Sequence, residues 1–456
     1  MKKLKTAVLK AASALAPEAI ALSDAIWDYA EEPFKEFRSA ALLRSVLERH
    51  GFAIEKKFKA IPTAFVMTWG RGRPRIGILA EYDALPDCGL KKGTWGHGCG
   101  HNLLGAGSAL AALIVKRVME HSGKLHGSIS LLGCPAEETL AGKAYMARDG
   151  AFKGFDAILA WHPSGGNSVS RLGGSAMDSM AFEFFGRTAH GASAHMGRSA
   201  LDAQELMDHA VNILREHIPE NVRIHSIISA GGMAPNVVPE YARSWYYIRA
   251  TDRKQVDEIA ARVVKCAQGA ARATETRMKK TLLAGIYNRL PNDALVEHMQ
   301  TCFKLIGPPR FTKKDNQAAK KLGFKPEFNT KIGEIGKVAG RASSDEDTVS
   351  WVAPLGRINV ACSAKDVTGH HRDYTSQGKT AYAHKGLVQA GKILALGALG
   401  LMAGGKTLAK VKREFKKRTK DFKFDPIVPR NQLPPIRDRI PPAPPQPEQE
   451  SRIQQA

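Results

Sequence analysis

The chain has 456 residues, 43% of them apolar, which is enough to bury a large core and long enough to imply two domains. Six cysteines (Cys88, Cys99, Cys134, Cys266, Cys302, Cys362) stand without CxxC pairs, which argues against a disulfide framework or a zinc ribbon and fits a reducing cytoplasm. The formal net charge of +23 raises nucleic-acid binding, but no zinc-finger spacing, RNP-like aromatic motif or clear helix-turn-helix accompanies it. Much of the excess lies in Lys304 to Lys325 and Lys406 to Lys423, and is read as a solvated surface that attracts anionic small molecules, with no specific nucleic-acid partner.

In chain order, Met1-Lys-Lys-Leu-Lys-Thr opens an amphipathic helix rather than a signal peptide, because Lys10 interrupts the alanine-rich stretch and Glu18 and Asp24 soon follow. The runs Ile76 to Ala80, Ser128 to Leu132 and Ala157 to Ala160 are short, bounded by glycine or charge, and separated by helical patterns. They predict an α/β sheet buried on both faces. A second unit is expected from 174 to 283, with strands at Ala181 to Gly186, Ile224 to Ser229 and Ala242 to Ala250 and helices at Leu201 to His217 and Lys254 to Arg272. That order suits a small α+β sandwich inserted into a discontinuous first domain, which occupies 1–173 and 284–430. The apolar stretch Gly386 to Gly405 is broken by Gln389 and Lys392, which argues against a membrane span. Residues 431–456 form a Pro/Gln-rich tail expected to be disordered.

The chemistry-bearing residues cluster at the expected strand ends. His97-Gly-Cys-Gly-His101 packs a thiolate and an imidazole into five residues, a pair that binds borderline metals. Glu137 and Glu138 follow a strand; one carboxylate can ligate metal while its neighbour acts as general base, although an isolated Glu-Glu pair also reads as a solvated helix start. His162, between Trp161 and Pro163, stands at a strand end, and Gly369-His370-His371 comes much later. Asp83 follows the strongest strand and can orient a histidine ligand, or simply form a turn. In the second unit, His190 and His195 follow a strand, where an imidazole can donate a hydrogen bond to a developing oxyanion.

Taken together, Glu81-Tyr-Asp-Ala-Leu-Pro86, Gly96-His-Gly-Cys-Gly-His-Asn102, Gly133-Cys-Pro-Ala-Glu-Glu138, Trp161-His-Pro163, Pro235-Asn-Val-Val238 and Ala383-His-Lys-Gly386 resemble the amidohydrolase branch of the dinuclear metallopeptidases, the family of aminoacylases, carboxypeptidases and auxin-conjugate hydrolases. The resemblance spans about residues 20 to 435. It implies a discontinuous catalytic domain with a mainly parallel sheet and an inserted dimerisation domain. It also implies two divalent ions, manganese or zinc with cobalt a further option, bridged by Cys99 and held by His101, Glu138, His162 and His370. Glu137 becomes the general base, and His190 the imidazole that reaches a partner subunit's site. Asn236 and Arg249 become substrate contacts, and Asp83 supports the ligands. Asp366-Val-Thr-Gly-His-His-Arg372 departs from the family setting of the last ligand, so His371 stands as an alternative to His370.

The expected activity is hydrolysis of an amide between an aromatic acyl or aryl group and an amino acid, p-aminobenzoyl-glutamate-like, by a cytoplasmic homodimer or a pairing with a related subunit. Two alternatives stand beside it: a hydrolytic deaminase using the same metals, and a basic binding protein that keeps the fold without turnover.

Overall fold

The structure is a computed structural model that describes residues 1–123, 125–336 and 342–435. It divides into two compact units, one formed by Met1–Gly173 with Arg289–Pro426, the other by Gly174–Asn288 with residues 427–435.

The first unit opens with α1 (Lys2–Tyr29) and α2 (Phe37–Arg49), followed by β1 (Ala53–Lys57), β2 (Phe65–Arg71), β3 (Arg75–Ala80), α3 (His101–Ser122) and β4 (Gly127–Gly133). Next come α4 (Gly142–Arg148), β5 (Ala157–Ser164) and β6 (Ser168–Ser170). Strands β4, β3, β5 and, from the chain's return, β11 (Leu355–Ala361) are mutually parallel; β2 and then β1 extend one side and β6 the other, each antiparallel to the strand it joins. Every residue of β4 and all but the first of β3 are buried, the pattern of strands covered on both faces.

The second unit comprises β7 (Ala176–Phe185), α5 (Ala200–Leu214), β8 (Arg223–Ala230), β9 (Tyr241–Ala250), α6 (Arg253–Ala273) and β10 (Arg277–Ile286). Its four strands form one antiparallel sheet in the order β10-β7-β9-β8, packed on α5 and α6 through Phe182, Phe184, Tyr246, Met207 and Val263. Strand β10 was not legible, because Lys279 and Lys280 interrupt its apolar alternation; lysines suit an edge strand, where they discourage pairing with other chains. The expected boundary at 283 would cut this strand, which pairs with β7 from Arg277 to Ile286, so the chain leaves the unit only at Asn288. Ile427 likewise belongs here rather than to the first unit: its side chain fills the space over Gly285, and Gln432 donates to the Leu282 carbonyl. Of the Pro/Gln-rich tail expected at 431–456, residues 436–456 lie outside the described residues.

On its return the chain forms α7 (Asp293–Ile306), α8 (Lys313–Lys321), α9 (Glu346–Val349), β11, α10 (Arg372–Gln377), α11 (Ala381–Ala403) and α12 (Gly405–Arg418). Thr380 caps α11 by accepting from the Ala383 N–H, one of the free donors at a helix start. Helices α3 and α11 are long and apolar enough to cross a membrane by length and composition, but 89% and 78% of their most apolar stretches are buried inside the fold, where they pack on each other and on the sheet. On α12, Leu408 and Val411 face inward while Lys410, Arg413, Lys416 and Lys417 are exposed, so this basic segment is a solvated face.

Helix α3 lies close on β5 because Gly107 has no side chain. A Cβ there would sit 2.6 Å from Trp161 Cζ2, and the indole Nε1 donates to the Leu104 carbonyl at 3.1 Å. Gly107→Val should therefore overpack this contact and lower stability by about 1–3 kcal/mol, measured by urea unfolding. An unchanged midpoint would mean that α3 can move away from the sheet freely.

Candidate metal centre

The carboxyl ends of four parallel strands supply the site, as open α/β sheets require. Strand β3 runs straight into Glu81-Tyr82-Asp83; His101 is the first residue of α3; β4 leads into Glu137 and Glu138; His162 lies near the end of β5; and His370 follows β11. Two local features aim these groups. Gly100, at φ 76°, makes the tight turn that places Cys99 beside the start of α3. Glu137–Thr139 form a single 3₁₀ turn between Ala136 and Leu140, both left-handed at φ 56° and 57°, a strained backbone of the kind found at functional sites. This turn splays the adjacent carboxylates: Glu137 Oε2 lies 3.9 Å from His101 Nε2, whereas Glu138 Oε2 lies 3.5 Å from His370 Nε2.

Asp83 is buried and joins two of these pieces. Its Oδ1 lies 2.8 Å from His101 Nδ1, and its Oδ2 accepts from the Glu138 N–H at 2.9 Å. His101 is thereby turned so that Nε2 faces the centre, where it is buried without a hydrogen-bond partner, as is Glu138 Oε1. His162 is oriented in the same manner: Nδ1 lies 2.6 Å from the Pro163 carbonyl oxygen, which leaves Nε2 3.3 Å from Cys99 Sγ.

The donor atoms fall into two groups that share one sulfur. Cys99, His101 and His162 form one, Cys99, Glu138 and His370 the other, and within each group the atoms lie within 4.8 Å of one another. Thiolate, imidazole and carboxylate donors around a shared sulfur can hold a pair of borderline divalent cations. Charge accounting agrees. Seven carboxyl groups (Glu81, Asp83, Glu137, Glu138, Asp345, Glu346, Asp347) stand near three fixed cations (Lys143, Arg289, Arg357), so acidic groups outnumber the protein's own cations there. A third donor group, Glu81, His101 and Glu137, already has a cation, because the buried Lys143 Nζ pairs with Glu81 at 2.7 Å and Asp345 at 2.5 Å.

The protonation equilibria reflect the same imbalance. Burial, with the Glu81 carboxylate beside it, pushes Glu137 up to about 7, the range of an acid–base group working near neutrality. Burial raises Glu138 to about 8, and burial together with the Glu138 charge raises the Cys99 thiol to about 12. Burial, then the Arg357 charge, holds His162 down to about 3, keeping its ring neutral.

His370 and His371 have different surroundings. The His370 backbone is left-handed at φ 60° and is held by its N–H donating to the Gly98 carbonyl at 2.8 Å, which brings its ring to Glu138. His371 instead caps α10, its Nδ1 accepting from the Asp373 N–H at 3.2 Å, and belongs to neither donor group. The leading His97 of the Gly-rich motif is buried with Nε2 3.0 Å from the Ile26 carbonyl oxygen, a structural position.

In the second unit, His190 and Asn236 meet: the Gly191 N–H donates to the Asn236 carbonyl at 2.7 Å, and His190 pairs with Val237. Both flank the Tyr241 end of β9. Arg249 lies near the other end of that strand, eight residues along, or ~27 Å at strand rise, so it does not join the His190–Asn236 pair. Sequence patterns missed Lys143 and Arg357 altogether, because a lysine in a short helix and an arginine within a strand carry no ligand spacing, while the Ser343-Ser-Asp-Glu-Asp347 segment reads as touching the substrate pocket but gives Ser344 no role of its own. Glu81 opens the Glu81 to Pro86 motif but had no role there, and its position just before Asp83 was the available signal.

A parallel-sheet domain carrying two sulfur-sharing donor groups at its strand ends, with a buried carboxylate beside them, defines a metallohydrolase. The chain belongs to peptidase family M20/M25/M40, whose profile matches residues 77–336, and is a metal-dependent amidohydrolase. It is 34% identical to one of the subunits of p-aminobenzoyl-glutamate hydrolase of Escherichia coli (strain K12), over 91% of this chain and 95% of that protein. It is 28% identical to Xaa-Arg dipeptidase of Homo sapiens, covering 89% and 90%. Among solved structures it shares its fold with Bacillus subtilis YXEP, a dinuclear metal-binding peptidase from the M20 family, at TM-score 0.58 and 16% identity over 86% of this chain and 99% of that one.

Asp83→Asn keeps the shape but removes the charge that orients His101. It should weaken metal affinity about 10–100-fold in a chelator competition assay. Unchanged affinity would mean that the His101 ring is fixed by packing alone.

Proposed function

We propose that the chain hydrolyses the amide between an aromatic acyl or aryl group and an amino acid, with p-aminobenzoyl-glutamate the first substrate to test. The observation that carries this is the pair of donor groups sharing Cys99, with the Glu137 carboxylate beside them. Cys99, His101, Glu138, His162 and His370 would hold the ions; His371 is left to its helix cap. The mixed sulfur, nitrogen and oxygen donors suit manganese or zinc, with cobalt a further option. When bound, these ions would supply Lewis-acid polarisation of the scissile carbonyl and a more acidic water.

The protein groups do the rest. Glu137 takes a proton from the attacking water as its oxygen bonds to the carbonyl carbon, then gives that proton to the amine nitrogen as the C–N bond breaks. The products are a carboxylic acid and an amine. Asp83 keeps His101 in one orientation throughout. The relative named for p-aminobenzoyl-glutamate hydrolysis supports the substrate class, and its being one subunit of a larger enzyme supports pairing with a second chain, identical or related. Six cysteines free of disulfides suit the cytoplasm.

Glu137→Gln should abolish turnover, by about three orders of magnitude or more, while bound metal stays near wild type, read by liquid chromatography of p-aminobenzoate and glutamate. Loss of metal in that variant would make Glu137 a ligand instead. Ammonia in place of an amino acid among the wild-type products would favour the deaminase reading.

His190 and Asn236 are proposed to contact substrate in a partner subunit's site, with the second unit as the dimerisation domain. Strand β8 is a sheet edge exposing Ile227 and Ile228 at 53% and 48%, and the loop beside Asn236 exposes Met233 at 94% and Val237 at 46%. Such an apolar edge suits pairing with another chain. Ile228→Lys should shift sedimentation toward monomer and lower kcat with it. A fully active wild-type monomer would end this part of the reading.

A further inference from the structure

Ser344 lies far from the family motifs in sequence, yet its hydroxyl reaches the proposed base. Ser344 Oγ is 2.8 Å from Glu137 Oε1 and also receives the Glu346 N–H at 3.3 Å. An ionised carboxylate only accepts, so the single hydroxyl hydrogen of Ser344 is donated to Glu137 Oε1. The opposite oxygen, Oε2, faces His101 Nε2 at 3.9 Å, on the side of the donor groups.

The segment carrying Ser344 has little freedom to withdraw. Asp345, next in sequence, accepts from the Lys143 N–H at 2.7 Å and pairs with its Nζ at 2.5 Å, and both residues are fully buried. Lys143 stands in α4, which follows directly from the Glu137–Thr139 turn. The base's own turn and the Ser344 segment are therefore clamped together by two separate links. On the far side Glu346 pairs with Arg289 and, at 3.1 Å, with Arg357.

We infer that Ser344 is a positioning residue for Glu137: its hydroxyl occupies Oε1, so that Oε2 is the oxygen that collects and delivers the proton, and the Lys143–Asp345 pair anchors it there. This rests on Glu137 being the general base. The physical reason is directional. A carboxylate free to rotate presents either oxygen, whereas one held by a fixed donor presents a single lone pair to the reacting water, and small misplacements of a reacting group are costly in rate.

The test uses the full chain loaded with manganese and p-aminobenzoyl-glutamate as substrate. Ser344→Ala should lower kcat about ten- to hundredfold, the scale of one hydrogen bond to a charged group, with KM, bound metal and thermal midpoint near wild type. Ser344→Thr keeps the hydroxyl and should restore most of kcat. Unchanged kcat in Ser344→Ala alongside an inactive Glu137→Gln overturns the role of Ser344 and leaves the base intact; an active Glu137→Gln removes the base reading itself. A loss in Ser344→Ala that Thr does not restore, or that comes with lost metal or a shifted midpoint, makes Ser344 structural and also overturns the inference.

Discussion

A single buried carboxylate holds the catalytic geometry together. Asp83 follows β3, its partner His101 starts α3, and the Glu138 N–H it also receives belongs to the turn after β4. Three strand or helix ends that are separate in sequence thus converge on one side chain. Without its two hydrogen bonds a carboxylate so deeply buried would be strongly disfavoured, so the interaction is as much a condition on folding as on function. Burial opposes its charge, but the His101 imidazole and the Glu138 N–H hold its carboxyl below the usual carboxylate range.

Around that anchor the first unit stores an excess of negative charge that no apolar core would tolerate. Lys143, Arg289 and Arg357 neutralise part of it through short ion pairs with Glu81, Asp345, Glu346 and Asp347, while Glu138 Oε1 and His101 Nε2 stay buried without a hydrogen-bond partner. The result is a divided site. One side is a protein-paired charge network that fixes loops, and the other is a set of donors in which burial keeps the His162 ring neutral, the form that ligates metal. Backbone strain at Ala136, Leu140 and His370 falls where these donors are aimed, consistent with a fold that spends stability on preorganisation.

The second unit follows a different design. Its core is apolar and its helices are amphipathic, but β8 and the 231–238 loop leave isoleucine, methionine and valine in solvent at the end where His190 and Asn236 meet. A surface of this kind is the feature on which the proposed dimerisation role of the second unit rests.

Much of this was legible in sequence. The buried strands at Ile76, Ser128 and Ala157 were marked by apolar runs bounded by glycine and charge, and the donor types by Cys99, His101, Glu138 and His162 at strand ends, because strand burial and metal affinity both depend on local residue type and spacing. Strand β10 was hidden by lysines that an edge position tolerates, and Ile427 by a long-range contact with Gly285. What the chain determined by itself was therefore the list of strands and the chemistry on offer. Only the tertiary structure decided that His370 rather than His371 turns toward Glu138, that Arg249 stands a strand's length from Asn236, and that Lys143 and Ser344 lie beside the proposed base. Those outcomes depend on backbone direction and on partners hundreds of residues away, which no local pattern encodes.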